Sequence, residues 1–127
     1  MGGDAAVIVA GIGCRLGCPA GEIVALVERA CAQAGLRPDL LAAPDSKLGD
    51  AGLRDAAARL SVPLHLVASD ALASVQTSCA TFSARVARHA GIASVAEAAA
   101  LVAAGPGSRL LLPRIASGRA TCALAVA

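Results

Sequence analysis

The sequence predicts an α/β fold: a single three-layer α/β/α domain over residues 1–127, with a mixed, mostly parallel sheet of about five strands and a C-terminal β-hairpin. Three observations point there. Ala5 to Ile12 is continuously apolar and ends in glycines, as a strand buried on both faces does. A helical pattern follows it at once, and short apolar runs then alternate with further helical patterns. Two strand-like runs around a tight turn close the chain.

Taken in order, Pro19 suits a first helical turn. Ile23, Leu26, Val27, Ala30, Cys31 and Ala34 then recur at helical spacing, and Gly35 is the stop. Leu40 to Ala43 makes a second strand. Pro44 to Asp50 is a loop, and Asp50 caps a helix with Leu53, Ala56, Ala57 and Leu60 on one face. Leu64 to Val67 is a third strand, and Ser69-Asp70 opens a short helical or irregular segment. Ala80 to Ala90 reads as a helix ended by Gly91. Ser94-Val-Ala-Glu97 has the form of a capping box, and the alanine-rich run to Ala104 stops at Gly105-Pro-Gly107. Arg109 to Leu112 and Arg119 to Val126 are strands joined through Ser117-Gly118.

A chain of 127 residues suits one core and is too short for two. Apolar residues make up 57% of it, yet Trp and Tyr are missing, Phe occurs once and Ala 33 times. Small side chains let helices lie close to a sheet, but each buries little area at roughly 25 cal/mol per Å². A homo-oligomer would add useful burial. Without aromatic platforms, single-stranded nucleic acid is a poor ligand, and a net charge of +2 from scattered basic residues is no nucleic-acid footprint. Ten Arg against one Lys favour pairing with carboxylates, and equally fit a genome rich in G and C.

Five cysteines, in a chain with enough apolar residues to fold without staples, fit reduced thiols in a cytoplasm. The first residues lack a basic signal-peptide region, and the first apolar run is far below membrane-spanning length. The expectation is a soluble cytoplasmic protein with neither membrane nor nucleic acid as partner.

In such sheets, ligands gather beyond the carboxyl ends of the strands. The loops at Gly11 to Cys18, Asp45 to Asp50 and Ile92 to Ser94 should therefore share one rim. Gly11-x-Gly13-x-x-x-Gly17 has one residue too many for a dinucleotide fingerprint; it admits a nucleotide, another anion, or only a tight turn. Cys14-x-x-x-Cys18 lacks the paired CxxC spacing of metal sites, and His65 and His89 belong to different elements, so no metal is expected. Lys47 shares its loop with Ser46 and Asp50, where an ammonium can hold a carboxylate, polarise a carbonyl or simply be solvated. Ser94 and Glu97 are explained first as a capping box worth on the order of 1 kcal/mol. No nucleophile, base and orienter form a set, so no catalytic residue and no cofactor is assigned.

Gly11-Ile-Gly-Cys-Arg15 with its following helix, Ser46-Lys47 with Gly52-Leu53, Ser94-Val-Ala-Glu-Ala-Ala-Ala100, Leu111-Leu-Pro113 and Ala120-Thr-Cys-Ala-Leu124 occur in that order. Together they resemble the CobE/CbiG C-terminal domain family over nearly the whole chain. The resemblance implies a role in cobalamin (vitamin B12) biosynthesis. In that family the domain stands alone in the oxygen-dependent route, whereas in CbiG it follows N-terminal segments and belongs to a hydrolase that opens a lactone and releases acetaldehyde. A chain without those segments is not expected to share that chemistry. Arg114 stands where the family commonly has lysine, and Gly49-Asp50 replaces a more acidic pair.

Corrinoid intermediates are macrocycles with several carboxylate arms. The resemblance thus implies a protein that binds or carries a late corrinoid or precorrin intermediate, such as hydrogenobyrinic acid. The site expected is Gly11, Gly13, Cys14, Arg15, Ser46, Lys47, Asp50, Ser94 and Glu97. Two alternatives stand beside it: an enzyme acting on a precorrin through Lys47, Asp50 or Cys14, and an assembly subunit contacting other pathway enzymes, a methyltransferase or the cobalt chelatase.

Overall fold

Ile8 to Ile12 carries no polar side chain on either face, so a strand built from it belongs in the middle of a sheet. A computed structural model, which describes residues 7–47, 49–74 and 94–127, places it there. Strand β1 (Ile8–Cys14) lies between β2 (Leu40–Pro44), parallel to it, and β5 (Ala120–Val126), antiparallel. With β3 (Leu64–Val67) parallel to β2, and β4 (Arg109–Ala116) antiparallel to β5, the order is β3-β2-β1-β5-β4.

Alternation along the strands sends side chains to two cores. On one face, α1 (Ala20–Ala34) and α2 (Ala51–Leu60) bury Ile23, Leu26, Val27 and Leu53 against Ala10, Ile12, Leu41 and Leu124. On the other, α3 (Ser69–Ser74) and α4 (Val95–Ala104) bury Leu72 and Ala98 to Leu101 against Val9, Ala42 and Ala125. Ala96 through Leu101 are all buried, as a helix without a polar stripe should be. The three-layer domain with a mixed five-stranded sheet and a C-terminal hairpin is the fold expected.

Local signals explain the element ends. Gly35, at φ 72°, closes α1 with its N–H on the Cys31 carbonyl. The Asp50 carboxylate accepts the Leu53 N–H at 3.1 Å, and the Ser94 hydroxyl accepts the Glu97 N–H at 3.3 Å, so both expected caps form. Pro19 sits at the cap of α1, one residue before the helix. Three strands outrun the expectation. β1 continues through Gly13 and Cys14, β2 takes in Pro44, and β4 continues past Leu112 to Ala116. Pro113 suggests a strand end, but β4 is an edge strand, where proline is tolerated, and its register shifts around that position. The helix expected from Ala80 to Ala90, its stop at Gly91, and Ala5-Ala6 of the first strand lie outside the described residues. Among those described, no helix is long and apolar enough to cross a membrane.

Gly11 sets how closely α4 approaches the sheet. A Cβ there would overlap the Ala96 carbonyl oxygen and stand 2.7 Å from the Ala100 nitrogen. Without it the helix rests directly on β1, and its first residues reach the strand's carboxyl end.

Candidate ligand-binding site

Because β5 runs antiparallel to β1 with Ala120 opposite Cys14, the β4–β5 turn is delivered to the carboxyl end of β1. The start of α4 comes to the same end. Between them lies a cleft of about 370 Å³, whose lining includes Gly13, Cys14, Arg15, Ser94, Arg114 and Arg119. Three chain segments thus place three arginines around one opening.

Hydrogen bonds fix this end of the sheet. The Arg15 N–H donates to the Arg119 carbonyl at 2.9 Å, and the Cys18 N–H to the Arg15 carbonyl at 3.1 Å. One carboxylate of α1, Glu22, accepts from the Ser117 hydroxyl at 2.6 Å, the Arg119 N–H at 2.7 Å and the Arg119 Nε at 2.9 Å. The Arg29 guanidinium donates to the Ala116 carbonyl at 2.7 Å. From the opposite helix layer, the buried Glu97 carboxylate accepts the Arg114 N–H at 2.9 Å.

Beside the cleft, the Cys14 thiol donates to Oδ2 of Asp50 at 3.8 Å. Burial, followed by the negative charge of Asp50, pushes the thiol up to about 11, against the opposing charge of Lys47. At neutral pH it is a protonated thiol and a poor nucleophile. Cys18 is also raised, by burial first and then by the charge of Glu22. Glu22 is lowered, chiefly by the Ser117 hydroxyl and then by the Arg119 backbone.

The expected site residues fall into three groups. Gly13, Cys14, Arg15 and Ser94 line the cleft. Asp50 bonds Cys14 from the α2 side, and the Lys47 charge acts on the same thiol, so the first two expected loops do come together, while Ser46 is exposed in a single 3₁₀ turn at Asp45–Lys47. Gly11 and Glu97 are buried where α4 meets the sheet, Gly11 under the helix and Glu97 against the β4 backbone. Ser94 joins the rim, and Ile92 and Ala93 lie outside the described residues. Two amides of the first loop, those of Arg15 and Cys18, are engaged within the protein.

Also on the lining of the cleft, and outside the set expected from the sequence, are Arg114, Ser117, Arg119 and Thr121 of the hairpin. Their signal was the arginine excess together with the antiparallel return of the last strand, and it needs the β1–β5 pairing to become visible. Among the described residues, no three His, Cys, Asp or Glu side chains gather as a metal site. His65 is exposed on β3, and His89 and Cys79 lie outside the described residues.

Comparison with known proteins gives a consistent result. The family model described as cobalamin synthesis G C-terminus matches residues 8–125. Protein CobE of Sinorhizobium sp is 37% identical over 121 residues, covering 93% of this chain and 79% of that protein. The crystal structure of CobE, a protein from the cobalamin (vitamin B12) biosynthetic pathway, has a TM-score of 0.87 at 39% identity and covers 96% of this chain and 91% of its own. Cobalamin biosynthesis protein chiG from Agrobacterium tumefaciens str. C58 has a TM-score of 0.76 at 44% identity, covering 94% and 97%.

Proposed function

The chain belongs to the cobalamin synthesis G C-terminus family and is a CobE/CbiG-like protein of cobalamin biosynthesis, and from that premise we propose that its arginine-rimmed cleft binds a late corrinoid or precorrin intermediate through the carboxylate arms. The observation that carries this reading is the convergence of Arg15, Arg114 and Arg119 on one opening. Guanidinium groups pair with carboxylates through two parallel hydrogen bonds, which favours a polyacid over a neutral ligand. Glu22 answers Arg119, and a ligand with several carboxylates would supply counter-charge for Arg15 and Arg114.

Size favours a carrier. A cleft of about 370 Å³ is small beside a tetrapyrrole-sized macrocycle, so it holds an edge with its arms and leaves the ring outside, where another enzyme can take it. Leu16, 89% exposed next to Arg15, offers apolar surface to that ring edge. Mixing the protein with hydrogenobyrinic acid and passing it through a sizing column should co-elute pigment. No retention at tens of micromolar would sink the proposal. Replacing both Arg15 and Arg114 by Ala should weaken binding about a hundredfold or more, since bonds to charged groups are worth about 1.5–3 kcal/mol each.

An enzyme is the second reading, favoured by the bond between Cys14 and Asp50 at the end of β1 and by the Lys47 charge that acts on the thiol. Against it stand a thiol raised to about 11 and a carboxylate already used as a helix cap. Precorrin turnover lost in Lys47→Ala would reverse the ranking. Capture of a pathway enzyme without bound pigment would favour an assembly role instead.

A further inference from the structure

We propose that Glu22 and Glu97, one from each helix layer, are positioning residues that hold the rim arginines in the arrangement a polycarboxylate requires; the inference rests on the binding reading above. Glu22 stands in the first turn of α1, where a carboxylate commonly serves its own helix. Here it spans a sequence separation of 95 to 97 residues to take three hydrogen bonds from the hairpin turn. Its side chain is 20% exposed while that of Arg119 is 52% exposed, so the acid is seated and the guanidinium reaches outward. The Arg119 carbonyl in turn accepts the Arg15 N–H, which ties the second arginine to the first.

Glu97 serves the third. Its carboxylate, 0% exposed, takes the Arg114 N–H at the place where β4 slips register between Leu112 and Ile115. The backbone at Arg114, and both the backbone and the guanidinium of Arg119, are therefore held by two carboxylates that do not themselves line the cleft. Arg29 already ties the hairpin to α1 through the Ala116 carbonyl, so Glu22 adds placement of Arg119 to an attachment that exists without it. Holding like charges together before the ligand arrives removes ordering cost from the binding step.

Double-mutant cycles test this, with hydrogenobyrinic acid as the probe. Glu22→Ala is expected to weaken binding about tenfold in the wild-type background and about threefold or less beside Arg119→Ala, because the two act through one another. Glu97→Ala and Arg114→Ala should be coupled in the same way. Glu22→Gln and Glu97→Gln, which keep an acceptor oxygen, should recover part of the loss. Equal losses in both backgrounds would assign the acids a general structural role and overturn the inference.

A second readout needs no ligand. In ¹⁵N spectra of the free protein, the Arg119 Nε–H and the Arg114 amide should exchange slowly, and each should become fast in the matching Ala variant, which removes its acceptor. Unchanged exchange overturns the inference even if binding is confirmed. Absent binding by the wild type overturns the functional reading, and the exchange data still decide whether the acids hold the arginines.

Discussion

The thiol of Cys14 donates to Oδ2 of Asp50, joining the last residue of β1 to the cap of α2. Burial and the Asp50 charge both favour the protonated thiol, and Lys47 only partly offsets them, leaving a value of about 11. Alkylation of Cys14 by iodoacetamide should therefore be slow at about pH 8 and should rise only above roughly pH 10, since the thiolate is the reacting form. Asp50→Asn removes a raising charge and should move the inflection down. Peptide mass spectrometry of the Cys14 fragment measures both, and an inflection below pH 9 in the wild type would contradict the geometry.

Asp50 has a second task that can be separated from the first. Its Oδ1 accepts the Leu53 N–H, and it is buried, so Asp50→Ala leaves the first turn of α2 uncapped. The expected loss is about 1 kcal/mol in urea denaturation. Asn caps a helix as well as Asp does, so Asp50→Asn should be close to neutral in stability while still changing Cys14 reactivity. A large stability loss in Asp50→Asn would mean that the charge, and not the cap, is what α2 needs.

Gly11→Ala should cost about 1–3 kcal/mol, because the new methyl meets helix backbone that can relieve the overlap only by moving α4. Gly13→Ala should cost less. There the nearest atom is the Thr121 hydroxyl oxygen at 2.7 Å, the end of a side chain that can rotate. Thermal unfolding of the two variants side by side checks the order, and the reverse order would show that α4 is not seated on Gly11.

Much of the fold was legible because its signals are local. The apolar run before Gly11, the helical spacing from Ile23 to Ala34, and the caps at Asp50 and Ser94 all act within a few residues, and each is found where expected. The last four residues of β4 are not legible locally, because a strand running through Pro113 is tolerated only at a sheet edge, and that depends on sheet order. The site was half legible for the same reason. Gly13, Cys14 and Arg15 follow a strand end that the pattern marks, whereas Arg114 and Arg119 reach the cleft only through the antiparallel pairing of β5 with β1. Glu97 was visible as part of a capping motif, but its carboxylate faces the β4 backbone, a contact 17 residues away that no local pattern announces.

Glu22 gives the fold a dependence on acid. Its carboxyl lies below the ordinary value because Ser117 and Arg119 donate to the charged form. A group lowered on folding stabilises the native state above its unfolded value, about 4.3, and that contribution disappears as pH falls through the lower folded value. The protein should thus lose melting temperature in acid partly through this carboxylate. Glu22→Gln, which cannot ionise, should melt below the wild type at neutral pH, and the gap should close as pH drops below about 4. Calorimetric scans across that range measure it, and a gap that stays constant would show that the charge of Glu22 contributes nothing to holding the hairpin on α1.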